Sequence, residues 1–190
     1  MKLGVLALQG AFREHAEALR ALDTDVVFVK RPEQLAGIDG IVLPGGESTT
    51  MDKLLDWSDL RTPLTEALHE GLPAFATCAG LILLASELVD ARPDQRPLGV
   101  LDTTVRRNGY GRQRESFESE LDVAGLPGGS FRGVFIRAPK VERVGPAVEV
   151  LAEHETVAVF GRQGRVFFSS FHPELAHDLR LHELFIREVS

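Results

Sequence analysis

Cysteine, tryptophan and tyrosine are almost absent from this chain, each occurring once in 190 residues. A single cysteine excludes an intramolecular disulfide and cannot by itself build a thiolate zinc site. No apolar run reaches the roughly 18 to 20 residues that a membrane-spanning helix needs. The opening run Lys2–Leu8 is also too short for a secretion signal. We therefore expect a cytoplasmic protein.

Basic residues are outnumbered, with 21 Lys and Arg against 28 Asp and Glu, which gives a net charge of −7. This balance argues against a nucleic acid or an anionic membrane as the main partner. No Gly-Lys-Ser/Thr sequence marks a phosphate-binding P-loop, and no spacing of ligand residues indicates a metal site. The length suits one domain covering residues 1–190, without a cofactor of its own.

The first half of the chain alternates between strand and helix patterns. Leu3–Leu8 is a continuous apolar run, typical of a strand buried on both faces, and Phe12–Leu22 has the pattern of an amphipathic helix. Asp25–Lys30 and Gly40–Leu43 are the next predicted strands. This alternation predicts an α/β fold, in which a parallel sheet carries helices on both faces.

After residue 85 the pattern changes to shorter strands separated by turns. Their spacing favours antiparallel additions to the sheet. The predicted strands are Gly99–Val105, Ser116–Val123, Phe131–Ile136, Val148–Glu153, Thr156–Phe160 and Arg165–Ser170. Leu179–Val189 is predicted to close the chain with an amphipathic helix.

The one cysteine lies where an apolar strand gives way to an apolar helix. Ala74–Ala76 predicts a short buried strand, and Leu81–Leu84 opens a helix that is apolar on nearly every face. Small residues follow the cysteine at Ala79 and Gly80, as a sharp strand-to-helix turn requires. Such a turn projects its central side chain away from the sheet, as in the Gly-x-Ser-x-Gly nucleophile turn. At a helix N-terminus, Cys78 would also favour the reactive thiolate.

Cys78 can equally be a small buried hydrophobic residue, which is the commonest role of a free cysteine. A cysteine nucleophile needs a base, and that base usually comes from elsewhere in the chain. His177 lies in a charged stretch before the last helix. Four other histidines are predicted to be solvated surface residues: His15, His69, His154 and His182.

His172 differs from the other histidines because it follows the apolar strand that ends at Phe171. Pro173 stiffens the segment, and Glu174 lies two residues beyond the histidine. A carboxylate there can accept a hydrogen bond from one ring nitrogen and leave the other facing a nucleophile. The alternative is a histidine at a strand end with a chance acidic neighbour. Together with Cys78, the pattern favours a Cys78–His172–Glu174 triad.

A glycine-containing loop, Pro44–Thr50, follows the third predicted strand. Its two glycines permit positive φ angles and expose backbone N–H groups, while Ser48 or Thr49 can cap the next helix. Open α/β sheets bind ligands at the carboxyl ends of their strands, so this loop belongs to the same edge as the cysteine. A tight connection with a helix cap is the alternative interpretation.

Two segments resemble the signatures of triad-type glutamine amidotransferases: Thr77-Cys78-Ala79-Gly80 and Phe171-His172-Pro173-Glu174. Further segments narrow the resemblance to the glutaminase subunits of pyridoxal 5′-phosphate synthases. All the matching segments together cover nearly the whole chain. The further segments are Gly4–Gly10, Arg13–His15, Lys30–Leu35, Leu43–Met51, Arg107–Asn108, Gly111–Gln113, Ser116–Glu118 and Val134–Pro139. The chain departs from the broader superfamily at Ala76, where glycine is usual. Alanine is still small enough for the turn.

This resemblance implies a flavodoxin-like three-layer sandwich with a mostly parallel central sheet and added antiparallel strands. It implies that glutamine is hydrolysed to glutamate and that the ammonia passes to a separate synthase subunit, which builds pyridoxal 5′-phosphate from sugar phosphates. That product is not a cofactor of this chain. The resemblance further implies a glutaminase that is activated when the synthase subunit docks, with the Gly45-Gly46 loop as the switching element.

The resemblance also implies roles for the residues of this chain at positions that match the family's functional residues. The resemblance makes Cys78 the nucleophile, His172 the general base and acid, and Glu174 the carboxylate that orients the histidine. The positions that match glutamine-binding residues of the family are Gly46, Glu47, Ser48, Arg107, Ile136 and Arg137.

The residue types agree with this chemistry. Attack of a thiolate on an amide creates an oxyanion, for which the backbone N–H groups of Gly46 and Ala79 are the natural donors. Arg107 or Arg137 can pair with the α-carboxylate of the substrate through a bidentate contact. Without the resemblance, both arginines would be interpreted as surface ion-pair partners.

Three other functions compete with this interpretation. Another glutaminase subunit, such as that of imidazole glycerol phosphate synthase, shares the triad but should lack the run from Arg107 to Gln113. A cysteine peptidase or chaperone-like protein of a related fold usually has its histidine close after the cysteine, whereas here positions 78 and 172 are far apart. A silent regulatory module that only binds a synthase would not need an intact triad.

Overall fold

The computed structural model describes residues 1–110 and 116–190. The helices are α1 (Phe12–Arg20), α2 (Ser48–Trp57), α3 (Arg61–His69), α4 (Ala79–Leu84) and α5 (Arg180–Val189). The first six strands are β1 (Lys2–Leu6), β2 (Asp25–Val29), β3 (Gly40–Leu43), β4 (Ala74–Thr77), β5 (Ala85–Val89) and β6 (Leu101–Arg106). The remaining strands are β7 (Ser116–Leu121), β8 (Phe131–Ile136), β9 (Lys140–Val144), β10 (Glu149–His154), β11 (Val157–Gln163) and β12 (Val166–Ser169).

The central sheet has seven strands in the order β10-β11-β12-β4-β3-β1-β2. Its five strands from β2 to β12 are parallel, and β11 and β10 add antiparallel strands at one edge. Numbered among themselves, the parallel strands follow the order 2-1-3-4-5, which is the flavodoxin-like order. The predicted fold class is therefore confirmed.

Side chains of the central strands alternate between two apolar layers, one on each face of the sheet. Phe75 packs with α1 and α5 on one face, while its neighbours Ala74 and Ala76 pack with α2, α3 and α4 on the other. The same alternation separates Phe167 from Phe168 on β12. Because both faces are buried, these strands have continuous apolar sequences. The result is a sandwich of three layers.

Of the six strands predicted as antiparallel additions to the sheet, only β10 and β11 join it in that way. The prediction is wrong for β6, β7 and β8, which belong to separate small sheets, and for β12. β12 inserts between β11 and β4 and runs parallel to β4, with Ser169 opposite Thr77. The sequence Val-Phe-Phe-Ser of β12 is buried at every position, as expected of an interior parallel strand. β5 and β9 were not predicted, because each is short and partly exposed.

Two small sheets beside the central one carry residues to its carboxyl edge. β5, β6 and β9 form one of them, and β7 pairs with β8 in the other. β6 ends just before Arg107, and β8 ends just before Arg137. The Gly109 N–H donates to the Ala138 carbonyl, which ties the two strand ends together. Within residues 1–110 and 116–190, no helix is long and apolar enough to cross a membrane.

Phe75 lies at the centre of the aromatic layer, and this position generates a stability prediction. Its ring is fully buried and meets the rings of Phe160 and Phe185 at 6.2 and 5.9 Å between centroids. We expect Phe75→Ala to lower the free energy of unfolding by about 3–5 kcal/mol, because the cavity cannot close around a rigid sheet. The aromatic control is Trp57→Ala, whose side chain is 78% exposed. It should cost about 0.5 kcal/mol or less in the same urea titration. Equal losses would contradict this description of the core.

Candidate active site

Cys78 lies at the sharp turn between β4 and α4. Its backbone has φ 48° and ψ −103°, a conformation that residues other than glycine rarely adopt. The turn is held in place because the Cys78 N–H donates to the Ser169 carbonyl at 2.9 Å, at the end of β12. Only 6% of the cysteine is exposed. The structure thus forms the strand-to-helix turn that the small residues predict.

Gly80 allows this turn to pack against β3. A Cβ atom at this position would overlap the carbonyl oxygen of Leu43, the last residue of β3. The close approach brings the start of α4 beside the glycine loop that follows β3. Ala79 is buried next to the cysteine, and its N–H belongs to the first turn of α4, where backbone donors lack an intrahelical acceptor.

His172 follows β12 and faces both Cys78 and Glu174. Its backbone N–H donates to the Val134 carbonyl at 2.8 Å, which anchors the segment to β8. The Nδ1–H donates to Glu174 Oε1 at 2.7 Å, and the Cys78 side chain lies close to the same ring. Burial alone would lower the pKa of His172, but the contacts with Cys78 and Glu174 outweigh burial and raise it. A protonated His172 is the partner that a thiolate requires.

Glu174 lies in a 3₁₀ turn, Pro173–Leu175, and its side chain is completely buried. Burial alone would raise the pKa of Glu174, but the neighbouring His15 and His172 outweigh it and lower the pKa far below its ordinary value. The carboxylate is therefore ionised throughout the physiological pH range. An ionised acceptor fixes the His172 ring with Nδ1 protonated, which is the orienting role in a triad.

The glycine loop packs directly on the histidine and the cysteine. A Cβ atom on Gly45 would lie 2.5 Å from His172 Cε1, so only glycine fits there. The Gly45 carbonyl accepts a hydrogen bond from the Ala11 N–H at 3.0 Å. Gln9 Oε1 accepts another from the Glu47 N–H at 2.7 Å. The segment after β1 therefore fixes the orientation of the peptide that carries the Gly46 N–H.

Glu47 is the N-cap of α2. Its carboxylate accepts hydrogen bonds from the backbone N–H groups of Thr49 and Thr50 and from both of their hydroxyls, over 2.5–3.3 Å. Burial alone would raise the pKa of Glu47, yet these bonds outweigh it and lower the pKa to about 2. The prediction that Ser48 or Thr49 caps this helix is wrong. Glu47 reaches back over the first turn, and Ser48 is already its first residue.

A cavity of about 290 Å³ opens beside Cys78, a volume suited to a molecule of amino-acid size. The lining is mixed, with charged and amide side chains as well as apolar ones. It consists of Gln9, Gly46, Glu47, Ser48, Cys78, Ile82, Arg107, Asn108, Ile136, Arg137 and His172.

The structure thus gathers the predicted site residues at one edge of the sheet. Eight of them line the cavity itself, while Glu174 lies behind His172 and Ala79 lies beside Cys78. Gln9, Ile82 and Asn108 also line the cavity, and no individual role was predicted for them. The Gly111–Gln113 part of the resemblance lies outside the described residues.

Two polar groups in the cavity wall have no partner among the residues that the structure describes. They are the Ser48 hydroxyl and the Arg107 Nε–H, both buried. Arg107 Nη2 lies 3.2 Å from Glu47 Oε1, so the guanidinium is only partly used. Buried polar groups that lack a partner are costly unless a ligand or water satisfies them. Both groups are therefore available to a polar ligand.

The surface assignment is wrong for two of the histidines. His15 and His182 are both completely buried, whereas His69 is exposed as predicted and His154 is half-buried at the end of β10. His15 lies beside Ala16 and one turn before Leu19, so it belongs to the buried face of α1. Helical spacing places His15 on that face, and the polar character of histidine obscures the signal.

The chain matches a family model and curated relatives over nearly its full length. The SNO glutamine amidotransferase family model matches residues 5–190. The pyridoxal 5′-phosphate synthase subunit PdxT of Rhodococcus jostii is 55% identical, over 97% of this chain and 95% of the relative. The subunit of the same name from Thermotoga neapolitana is 49% identical, over 100% of both chains.

Solved structures agree with these matches. A crystal structure described as a glutamine amidotransferase superposes with a TM-score of 0.93 at 50% identity, covering 98% of both chains. A structure of PurLQS from Thermotoga maritima superposes with a TM-score of 0.72 at 15% identity, covering 100% of this chain and 99% of that one. At that identity the second likeness shows the fold alone.

The Glu47 cap generates a pH-dependent stability prediction. Glu47→Ala should cost about 1 kcal/mol at pH 7, because two backbone donors of α2 lose their acceptor. The folded-state pKa of about 2 lies below the ordinary 4.5. The contribution is therefore complete above the ordinary pKa and is lost as the pH falls toward 2. Urea unfolding of wild type and Glu47→Ala at pH 7 and pH 3 measures the difference.

The control for this measurement is Glu70→Ala, at an exposed position after α3. It should change stability by about 0.5 kcal/mol or less at either pH. A Glu47→Ala deficit that is the same at both pH values would contradict capping by an ionised carboxylate.

Proposed function

The chain belongs to the SNO glutamine amidotransferase family, and we propose that it is the glutaminase subunit of a pyridoxal 5′-phosphate synthase. It hydrolyses L-glutamine to L-glutamate and ammonia. The observation that carries the proposal is the series Cys78–His172–Glu174, in which a buried carboxylate binds the imidazole of His172 and the Cys78 side chain lies close to that ring. The whole of residues 1–190 is one glutaminase domain in this proposal.

The first half of the reaction forms a thioester. Cys78 Sγ, as a thiolate, attacks the side-chain amide carbon of glutamine, and the carbonyl oxygen takes up the negative charge. The N–H groups of Gly46 and Ala79 stabilise this oxyanion, each contributing about 3 kcal/mol. When the tetrahedral intermediate collapses, the C–N bond breaks and His172 gives its proton to the departing nitrogen. Ammonia leaves, and the glutamyl group stays bound to sulfur.

The second half of the reaction returns the enzyme to its starting state. His172, now neutral, takes a proton from a water molecule as that water attacks the thioester carbon. Collapse of this second tetrahedral intermediate breaks the C–S bond and releases glutamate. The proton held by His172 restores the imidazolium beside the Cys78 thiolate. Glu174 remains ionised throughout and keeps the ring in one orientation.

The cavity wall accounts for binding of the amino-acid end of glutamine. Arg107 or Arg137 pairs with the α-carboxylate, and the unpartnered Nε–H of Arg107 supports Arg107 in this role. The buried Ser48 hydroxyl supplies a further hydrogen bond. Glu47 holds α2 and Arg107 in place, and Ile136 contributes apolar contact at the cavity mouth.

The proposed partner is the synthase subunit of a pyridoxal 5′-phosphate synthase, because the relatives are named as subunits of that enzyme. Free ammonia is protonated in water, so a docked subunit that receives it directly conserves the reactive form. Docking would act on the Gly45-Gly46 loop through Gln9 and Ala11, which hold that loop. The proposed location of the complex is the cytoplasm.

Glutamate release from glutamine, measured with and without the synthase subunit, tests the proposed activity. Cys78→Ala and His172→Asn should each reduce kcat by about 10⁴-fold or more, because members of a triad act as a unit. The wild-type rate should rise when the synthase subunit is added. Turnover that survives Cys78→Ala would refute the triad, and a rate indifferent to the synthase would favour another glutaminase.

Substrate binding is tested by Arg107→Gln. Loss of a charged hydrogen-bond donor to the α-carboxylate should raise KM for glutamine by about 10- to 100-fold, with a much smaller change in kcat. The matched control is Arg162→Gln on β11, which removes surface ion pairs with Glu149 and Glu188 outside the cavity. An unchanged KM for Arg107→Gln would assign the carboxylate to Arg137 instead.

A further inference from the structure

A chain of buried polar side chains continues from the triad into the core between the sheet and the helices α1 and α5. Glu174 Oε1 binds His172, and its other oxygen, Oε2, lies 3.2 Å from His15 Nε2. The same His15 nitrogen lies 3.0 Å from Thr77 Oγ1, at the end of β4. On the far side of the ring, His15 Nδ1 lies 3.0 Å from His182 Nε2 on α5. Of these side chains, His15, Thr77 and His182 come from residues with no exposed surface.

This placement is costly for stability alone. His15 and His182 both lie against the ring of Phe75 in the aromatic layer, where apolar side chains of similar volume would pack without desolvation cost. Replacing buried polar groups with well-packed apolar residues is often neutral or stabilising. The polar chain also ends on the one carboxylate that orients the catalytic histidine. A role in holding that carboxylate explains both facts.

The contacts determine where the protons lie. Glu174 can only accept, so the 3.2 Å contact is attractive when His15 Nε2 carries its proton. The hydrogen bond of that nitrogen is with Thr77, and Glu174 Oε2 accepts no hydrogen bond from the described residues, so His15 acts on it as a close electrostatic contact. In a neutral His15 ring, Nδ1 is then an acceptor, and His182 must donate to it from Nε2. Burial is the main cause that lowers the pKa of His182 to about 3, so this ring is neutral at pH 7. Its Nδ1 has no partner among the described residues, and the arrangement leaves there a lone pair rather than a buried N–H.

We propose that His15 is a positioning residue of the glutaminase reaction, which fixes the second oxygen of Glu174 so that the first oxygen stays directed at His172. This inference rests on the proposed triad. With a contact to Oε1 alone, the carboxylate of Glu174 can rotate about the Cγ–Cδ bond. Contacts to both oxygens fix the plane of the carboxylate. His182 donates to His15 Nδ1 and so keeps the His15 proton on Nε2. Thr77, at the end of β4 and next to Cys78, hydrogen-bonds the Nε2 atom. His15 thereby acts through Glu174 and touches no reacting atom.

The groups around the Glu174 carboxylate come from several elements of the fold. His15 approaches from α1 and His172 from the end of β12, and both are titratable. His182 on α5 reaches it through His15, and Cys78 through His172. In the described part of the chain, the groups that contact the Glu174 carboxylate are the proton-donating rings of His15 and His172. Removal of His15 therefore changes the orientation of Glu174 and does not place another acidic group beside it.

The test compares His15→Leu with His15→Gln in the complex with the synthase subunit. Leucine fills the space but has no donor, and kcat should fall by about 10- to 100-fold, since a displacement of the order of 1 Å at a catalytic group has that cost. KM for glutamine should stay within about twofold, because no substrate contact is removed. Glutamine places an amide N–H near the position of His15 Nε2 and should restore most of the rate. His69→Leu, at an exposed histidine, is the matched control and should leave kcat unchanged.

Loss of kcat in His15→Leu that is largely restored in His15→Gln supports the proposal. Wild-type kcat in His15→Leu overturns it, and so do equal losses of kcat in both variants that follow their losses of Tm. The Cys78→Ala variant distinguishes failure of the proposed triad from failure of the role proposed for His15. Activity in Cys78→Ala refutes the proposed triad, whereas an inactive Cys78→Ala with a fully active His15→Leu refutes only the role of His15.

If His15→Leu does not fold, the role of His15 is tested by a spectroscopic measurement of its protonated nitrogen in the wild-type protein. In protein labelled with ¹⁵N-histidine, and with signals assigned through His15→Gln and His69→Leu, His15 should be protonated on Nε2 and not on Nδ1. His182 should show the same tautomer. A His15 ring protonated on Nδ1 alone would present a lone pair to Glu174 and would overturn the proposal.

Discussion

β12 lies parallel to β4 with Ser169 opposite Thr77, and this register decides where the side chains of the proposed triad meet. The next residue after Thr77 is Cys78, the proposed nucleophile, and its N–H donates to the Ser169 carbonyl. Three residues after Ser169 the chain reaches His172, whose backbone is held in turn by β8. Because neighbouring parallel strands end at the same edge of a sheet, the strained turn at Cys78 and the distant segment that contains His172 lie close together. A shift of one residue in this pairing would separate them.

The site also shows how a buried charge is made tolerable. A carboxylate without exposure would ordinarily take up a proton, but a hydrogen bond from His172 and the close contact with His15 keep Glu174 ionised. Glu47 is partly exposed and stays ionised for a different reason, because four donors of one helical turn surround its carboxylate, which also contacts Arg107. Both carboxylates are fixed before substrate arrives, so little reorganisation remains for the reaction itself.

Local sequence predicted the parts of this site that depend on neighbours in the chain. Small residues around Cys78, the glycines after β3 and the His-Pro-Glu segment each specify their own turn, and the continuous apolar runs specify buried strands. Pairing between distant segments was harder to predict. The parallel placement of β12, the strand β9 and the burial of His15 depend on which surfaces meet across the sheet, and polarity alone misplaces a histidine that finds partners there. The cap was missed because Glu47 reaches its donors from outside the helix.

The insertion of β12 has a consequence for how the molecule reaches its folded state. The order of the sheet lets β1 to β4 assemble early, but β4 then remains an edge strand until a segment some ninety residues later closes against it. Contacts between segments so far apart form slowly, because a long loop must close before the pairing gains any stabilisation. A chain in which β12 has not yet paired would expose the apolar edge of β4, which other chains can join by strand addition. Because this pairing brings Cys78 and His172 together, the proposed triad cannot form before β12 has joined β4.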